Sequence, residues 1–236
     1  MISALLFDLD GTLLDSDMDI FMPPYLRALA ARLSPVVPPE TLLDALMAST
    51  RLMMRSRGRR QTNEEVFWAD FLARVGRPRA DLAPLIDDFY RQDFATLKRY
   101  TSPKPEARPL VQAAFTAGFT VAIATQPVFP LSAVQQRLDW ANTGDFPYAL
   151  VTSYENMHTA KPDPDFYREV CECIGHQPGS CLMVGNDADA DIHPAAAAGL
   201  HTFWLASHDT SPRADLPAGR SGTLLDLHRR VERRTL

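Results

Sequence analysis

The sequence predicts an α/β fold, a parallel β-sheet with helices on both faces, interrupted once by an all-helical insert. Short β-rich runs at 2–7, 119–124, 148–152, 181–184 and 201–205 are the first observation behind this. Between the later runs lie helix-length segments that close on Gly118, Gly175 and Gly199, and strands alternating with helices point to βαβ units. The second observation is that residues 17–100 contain no β-like run. The third is that polar residues stand at the ends of the predicted strands, the edge where parallel sheets bind ligands.

Along the chain, ISALLF forms the first strand and runs into Asp8-Leu9-Asp10-Gly11-Thr12. The insert follows. PPETLLDALMASTRLMM carries Leu42, Leu43, Leu46, Met47 and Met53 at helical spacing. Thr62-Asn63-Glu64-Glu65 is a capping box that opens a helix through VFWADFLARVG. Leu82, Leu85, Ile86, Phe89, Tyr90 and Phe94 trace one further helical stripe. TSPKPEARP, with Pro103, Pro105 and Pro109, is expected to be a stiff linker back to the sheet. The expected boundaries are a core of 1–16 plus 101–236 and a helical insert of 17–100.

Composition narrows the function classes. A chain of 236 residues that is 46% hydrophobic and 22% charged has the profile of a soluble globular protein. Its formal net charge of -5 gives no reason to expect nucleic acid or an anionic membrane as partner. Cys171, Cys173 and Cys181 fit neither a disulfide framework nor a zinc knuckle and are expected to be reduced thiols. His158, His176, His193, His201, His208 and His228 are scattered, with no metal-binding pair, and are expected in packing or at the surface. The apolar start is too short for a signal segment and no run approaches the roughly 20 apolar residues of a membrane span. A cytoplasmic protein is expected; nothing in the sequence separates a monomer from a homodimer.

The strand ends carry complementary chemistry. Asp8 and Asp10 follow the first strand, Thr125 follows FTVAIA, Lys161 lies in the loop beyond YALVT, and Asn186, Asp187 and Asp191 follow CLMV. Carboxylates are rarely buried without a partner. Those at 8, 10 and 187 are hard oxygen donors that suit Mg²⁺, and a divalent cation relieves their mutual repulsion. Thr125 and Lys161 are donors suited to phosphoryl oxygens.

FDLDGTLLD, AIAT, AKPDPDFY and VGNDADADI, in that order, resemble the four motifs of the haloacid dehalogenase superfamily, phosphatase branch. The resemblance covers the core, and the insert after the first motif is similar to the superfamily's helical cap. It implies a Rossmann-like three-layer core. It also implies a Mg²⁺-dependent phosphatase acting on a small-molecule phosphate ester through an aspartyl-phosphate. In that resemblance Asp8 is the nucleophile and Asp10 the general acid and base. The Asp8 side chain, the Asp10 carbonyl and Asp187 hold Mg²⁺, while Thr125, Gln126 and Lys161 face the phosphoryl group. The chain departs from the pattern twice: the fourth motif reads Gly185-Asn186-Asp187 rather than Gly-Asp, and Gln126 stands where Asn is frequent. Asp187 is favoured over Asn186 as ligand, with Asp191 behind it, holding Lys161 or a metal water.

Other residues have plainer expectations. Asp15, Ser16 and Asp17 form a hinge, and Asp189 is an early-helix acid. Met18, Phe21, Met22 and Tyr25 pack in the insert, with contact to substrate as the alternative. Arg51, Arg55, Arg57, Arg59 and Arg60 form a solvated face, or else a loop that holds an anionic substrate. Glu155 and His158 order the Lys161 loop, and Trp68, Trp140 and Trp204 are core. Three competing functions share some of this pattern. A 2-haloacid dehalogenase ordinarily lacks an acid at position 10, and a non-catalytic binding module would have lost a motif residue. A phosphomutase, similar to β-phosphoglucomutase, keeps every core motif.

Overall fold

The computed structural model describes residues 1–206 and 220–236; His208 lies outside them. The sheet is built from β1 (Ala4–Phe7), β4 (Thr120–Ile123), β5 (Leu150–Val151), β6 (Cys181–Gly185), β7 (His201–Leu205) and β8 (Ser221–Gly222). Their spatial order is β5-β4-β1-β6-β7-β8, and every pairing is parallel. β1 therefore lies in the middle, and its end is flanked by the ends of β4 and β6.

Both faces of the sheet are covered, which is why its strands read as continuous apolar runs rather than as alternation. Along β1 the side chains still alternate. Leu5 and Phe7 pack on one face with Val121, Ile123, Leu182 and Val184, against helices α5 (Ala107–Thr116), α6 (Leu131–Trp140) and α9 (Leu224–Arg233). Ala4 and Leu6 pack on the other with Ala122 and Met183, against Phe166, Val170 and Cys171 of α7 (Pro164–Cys173). The cysteines are free, and the Cys171 and Cys181 sulfurs lie 3.5 Å apart in that layer. Past the fourth motif, α8 (His193–Ala197) leads into β7.

The insert is helical throughout: α1 (Met18–Leu33), α2 (Pro39–Arg55), α3 (Asn63–Val75) and α4 (Arg79–Asp88). The Thr62/Glu65 capping box forms, and Gly76 closes α3 in the left-handed conformation. Beyond α4 the chain continues in a wide turn at Phe89–Asp93 and a tight one at Phe94–Tyr100, so one apolar stripe runs on through changing helical pitch.

Two short strands depart from the expected hinge and linker. β2 (Leu14–Ser16) and β3 (Thr101–Pro103) pair antiparallel, with Asp15 opposite Ser102. The chain leaves and re-enters the core side by side there, and each crossing satisfies the other's backbone groups. Three residues are too few for a period-two pattern to register.

An aromatic cluster joins insert to core. Phe94 stacks on Trp140 with ring centroids 5.3 Å apart and meets Phe21 at 6.1 Å, and Tyr25 meets Phe129 edge-on at 5.3 Å. Phe94→Ala opens a cavity in this fully buried cluster and is expected to cost about 3–5 kcal/mol, read from the urea midpoint. A loss under about 1 kcal/mol would mean the rings do not hold the insert to the core.

Candidate active site

The centre of the site is a buried ammonium between two carboxylates. Lys161, 2% exposed, donates to Asp8 Oδ1 at 2.8 Å and to Asp191 Oδ1 at 2.6 Å. Asp8 is delivered by β1, and its own N–H is tied to the Val184 carbonyl of β6 at 2.9 Å. Asp191 also accepts the Asp187 N–H through Oδ2 at 3.1 Å. Gly185 is needed behind it, because a Cβ there would come within 2.2 Å of the Asp191 carboxylate.

Lys161 is held by its main chain. Gln126 donates from Nε2 to the Lys161 carbonyl at 3.1 Å and accepts the Lys161 N–H at 3.0 Å. Thr125, beside it and buried, receives a bond from Thr152 Oγ1 on its carbonyl at 2.8 Å. Glu169 of α7 takes the N–H groups of His158 and Thr159 and the His158 ring, fixing the loop just ahead of Lys161. Glu155 turns away, to the Leu131 N–H that starts α6. Burial alone would lower the Lys161 pKa, but the carboxylates of Asp191 and Asp8 outweigh it and raise it, so the side chain stays charged.

The fourth motif separates its two candidates. Asn186 accepts from Thr12 Oγ1 at 3.0 Å, with its amide against Gly11. A Cβ at Gly11 would lie 2.6 Å from that amide, and Gly11 has φ +78°, so only glycine fits there. Asp187 caps the following turn with Oδ1, which accepts the N–H groups of Asp189 and Ala190, and the side chain is otherwise exposed. Among the described residues no cluster of three or more His, Cys, Asp or Glu side chains could cage a metal by itself. The oxygens at this edge that could bind a divalent cation are the Asp8 and Asp187 carboxylates, the Asp10 carbonyl and the Asn186 amide oxygen.

Asp10 has a partner that the sequence did not suggest. Arg137, on α6, donates from Nη1 to Asp10 Oδ2. Burial pushes the Asp10 carboxyl upward, the Arg137 charge pulls it back down, and neighbouring Asp8 adds to the rise. The available signal was a charged residue at an apolar position of a helix: Arg137 shares its buried face with Ala133, Val134 and Leu138. Lys104 was missed as well; its ammonium bonds the Gly11 carbonyl beside the first motif.

The basic run divides. Arg57 pairs with Asp163 at 2.9 Å and Arg59 with Glu172, so these two brace the insert against α7; Arg51, Arg55 and Arg60 are exposed. Phe21 and Tyr25 are buried and Met18 is packed against the same core, whereas Met22 and Tyr25 also line an apolar cavity of about 140 Å³ with Leu29, Leu42, Phe67 and Phe129. Trp68, Trp140 and Trp204 are buried.

Known proteins carry the same architecture. The haloacid dehalogenase-like hydrolase family model matches residues 2–199. The chain belongs to this family of hydrolases. It is 28% identical to phosphoglycolate phosphatase of Aquifex aeolicus, over 95% of each chain. It is 29% identical to hexitol phosphatase A of Escherichia coli, over 88% of this chain and 85% of that one. Among solved structures, 2-haloacid dehalogenase from Pseudomonas syringae superposes with a TM-score of 0.64 at 22% identity, over the whole of both chains. A HAD phosphatase from Thermococcus onnurineus does so at 0.59 and 18%, over 97% of each. At such identities the superpositions speak for the fold.

Lys161→Met leaves Asp8 and Asp191 facing each other without a cation and is expected to cost about 3–5 kcal/mol at about pH 7 by chemical denaturation. Burial and the like charge then raise a carboxyl pKa in the folded state above its unfolded value. Burial already raises the Asp191 pKa to about 6 with Lys161 present. The variant therefore takes up its folded-state proton at higher pH than the wild type, and the deficit narrows as pH falls from about 7 to about 6. A deficit that is absent, or that widens over that range, contradicts this electrostatic account.

Proposed function

We propose that this hydrolase is a Mg²⁺-dependent phosphatase of small phosphorylated metabolites that works through a phosphoryl group carried on Asp8. The observation that carries the reading is the buried Asp8–Lys161–Asp191 triplet with Asp10 two residues from Asp8. Lys161 donates to Asp8 and orients its carboxylate, as a nucleophile must be held. Its charge, with the Thr125 hydroxyl, faces the region where phosphoryl oxygens gather negative charge. Asp10 protonates the departing ester oxygen and then takes a proton from the water that releases phosphate. Bound between Asp8, Asp187 and the Asp10 carbonyl, Mg²⁺ would neutralise phosphoryl charge. Asp187 is preferred to Asn186 because a carboxylate binds Mg²⁺ better than an amide, and the capping bonds of Asp187 fall on Oδ1 and not on Oδ2. Gln126 belongs behind the phosphate, as the clamp on Lys161.

Residues 17–100 act in this reading as a cap over the strand ends, excluding water and bulky substrates. Two of the relatives are named phosphoglycolate phosphatase and hexitol phosphatase A, which agrees with a small phosphate ester. An acid at position 10 is what a hydrolytic phosphatase needs and an ordinary dehalogenase does without. No helix among the described residues is long and apolar enough to cross a membrane.

Purified protein is expected to release phosphate from p-nitrophenyl phosphate with Mg²⁺ and to stop in EDTA. Asp8→Asn should abolish turnover in a protein that still unfolds in one cooperative transition. Metal-independent chloride release from a 2-haloacid would sink the assignment. For the fourth motif, Asp187→Ala should raise the Mg²⁺ concentration needed for half-maximal rate by at least about tenfold, in line with loss of one ligand, and Asn186→Ala by far less. The reverse order would make Asn186 the ligand.

A further inference from the structure

We infer that Arg137 is a positioning residue for the acid–base step: it grips Asp10 by Oδ2, so that Oδ1 is the oxygen that passes a proton to the leaving group. The inference rests on the phosphatase reading, in which Asp10 is the general acid.

The Arg137 side chain is 1% exposed and is among the largest fully buried side chains. A guanidinium carries five N–H donors and a permanent charge, and burying it ordinarily demands several acceptors. Here Nη1 donates to Asp10 Oδ2, while Nε and Nη2 are buried with no hydrogen-bond partner. The flat guanidinium lies over Phe129 with Cζ 4.5 Å from the ring centroid, a cation–π contact that offsets part of this loss. Packing does not account for such a residue, since an apolar side chain of similar size would bury without orphaned donors. What Arg137 supplies, and an apolar residue could not, is a fixed charge-assisted bond to Asp10.

That bond distinguishes the two Asp10 oxygens. Oδ2 is occupied by a group that can only donate, so it serves as the acceptor oxygen. Oδ1 is buried and has no partner, which leaves it as the place for the transferable proton. The step then balances. A bond forms between an Asp8 oxygen and phosphorus as the phosphorus–ester oxygen bond breaks, and the Oδ1 proton moves to that ester oxygen. Asp10 is left as a carboxylate already facing Arg137, ready to take a proton from the attacking water. Thr125 and Phe129 lie in the connection between β4 and α6, and Arg137 lies within α6 itself, so the segment that follows β4 carries Thr125, the ring beneath the guanidinium and the Asp10 anchor.

Proton donation matters little when the leaving group is a stable phenolate and greatly when it is an alkoxide. Wild type, Asp10→Asn and Arg137→Met are compared by kcat/KM on p-nitrophenyl phosphate and on glycerol phosphate, with thermal unfolding confirming the fold. Arg137→Met should lose at least about tenfold more on glycerol phosphate than on the aryl ester, in the same direction as Asp10→Asn, as general-acid contributions of roughly 10²–10⁴ allow. A residue needed only for packing would lower both by one factor. Equal losses in Arg137→Met, with the differential intact in Asp10→Asn, overturn the inference and leave the phosphatase reading standing. No differential in Asp10→Asn removes the acid role and this inference together, while a dead Asp8→Asn still supports the nucleophile. If Arg137→Met does not fold, Arg137→Lys is read by the same ratio: a helical lysine does not reproduce the rigid fork, so a wild-type ratio would overturn the inference.

Discussion

The contact on which the site depends is the buried Lys161 ammonium shared by Asp8 and Asp191. Two carboxylates brought together from the ends of β1 and β6 would repel, and neither could stay ionised out of water alone. Lys161 resolves this only if its loop holds the ammonium within hydrogen-bond reach of both carboxylates. The surrounding bonds serve that placement: Gln126 clamps the Lys161 backbone, and Glu169 pins residues 158 and 159. A buried ion pair of this kind adds little net stability over an apolar substitute. Its value is a single arrangement of the three side chains, with Asp8 held in place by the ammonium.

The helical insert is attached to the same loops. The N-terminus of α3 gives its free N–H groups to the core, Asn63 N–H to the Met157 carbonyl at 2.8 Å and Glu64 N–H to Tyr154 at 2.7 Å. The Asn63 side chain adds a bond to the Thr159 carbonyl at 3.0 Å, two residues before Lys161. Orphan donors of a helix end are thus satisfied by the segment that presents Lys161. With Phe94 against Trp140 and Arg57 against Asp163, the insert and the active-site loops share their supports.

Much of this was legible in the sequence because the signals were local. Five β-rich runs fall on β1, β4, β5, β6 and β7, and Gly118, Gly175 and Gly199 each adopt a positive φ at a helix end. The Thr62 capping box forms as its spacing requires. Asp8, Lys161 and Asp191 meet because a parallel sheet brings its strand ends to one edge, whatever their separation in sequence. What escaped was nonlocal or very short. β2 and β3 are three residues each and gain meaning only by pairing across the whole insert. Arg137 resembles an ordinary helical arginine until the fold turns its face inward toward Asp10, 127 positions earlier. Gln126 was expected at the phosphate or in service of the loop, and both ends of its amide bind the Lys161 backbone, a pairing that no spacing encodes.

The central claim is that Asp8 carries the phosphoryl group during turnover. The direct measurement is rapid-quench peptide mass spectrometry on Asp10→Asn, in which attack by Asp8 on a p-nitrophenyl ester proceeds and release by water is slowed. The account predicts one phosphoryl group on the peptide containing Asp8, stoichiometric with the burst of p-nitrophenol and absent when Asp8 is also replaced. A full burst with Asp8 unmodified, or a phosphoryl group on another residue, would contradict it.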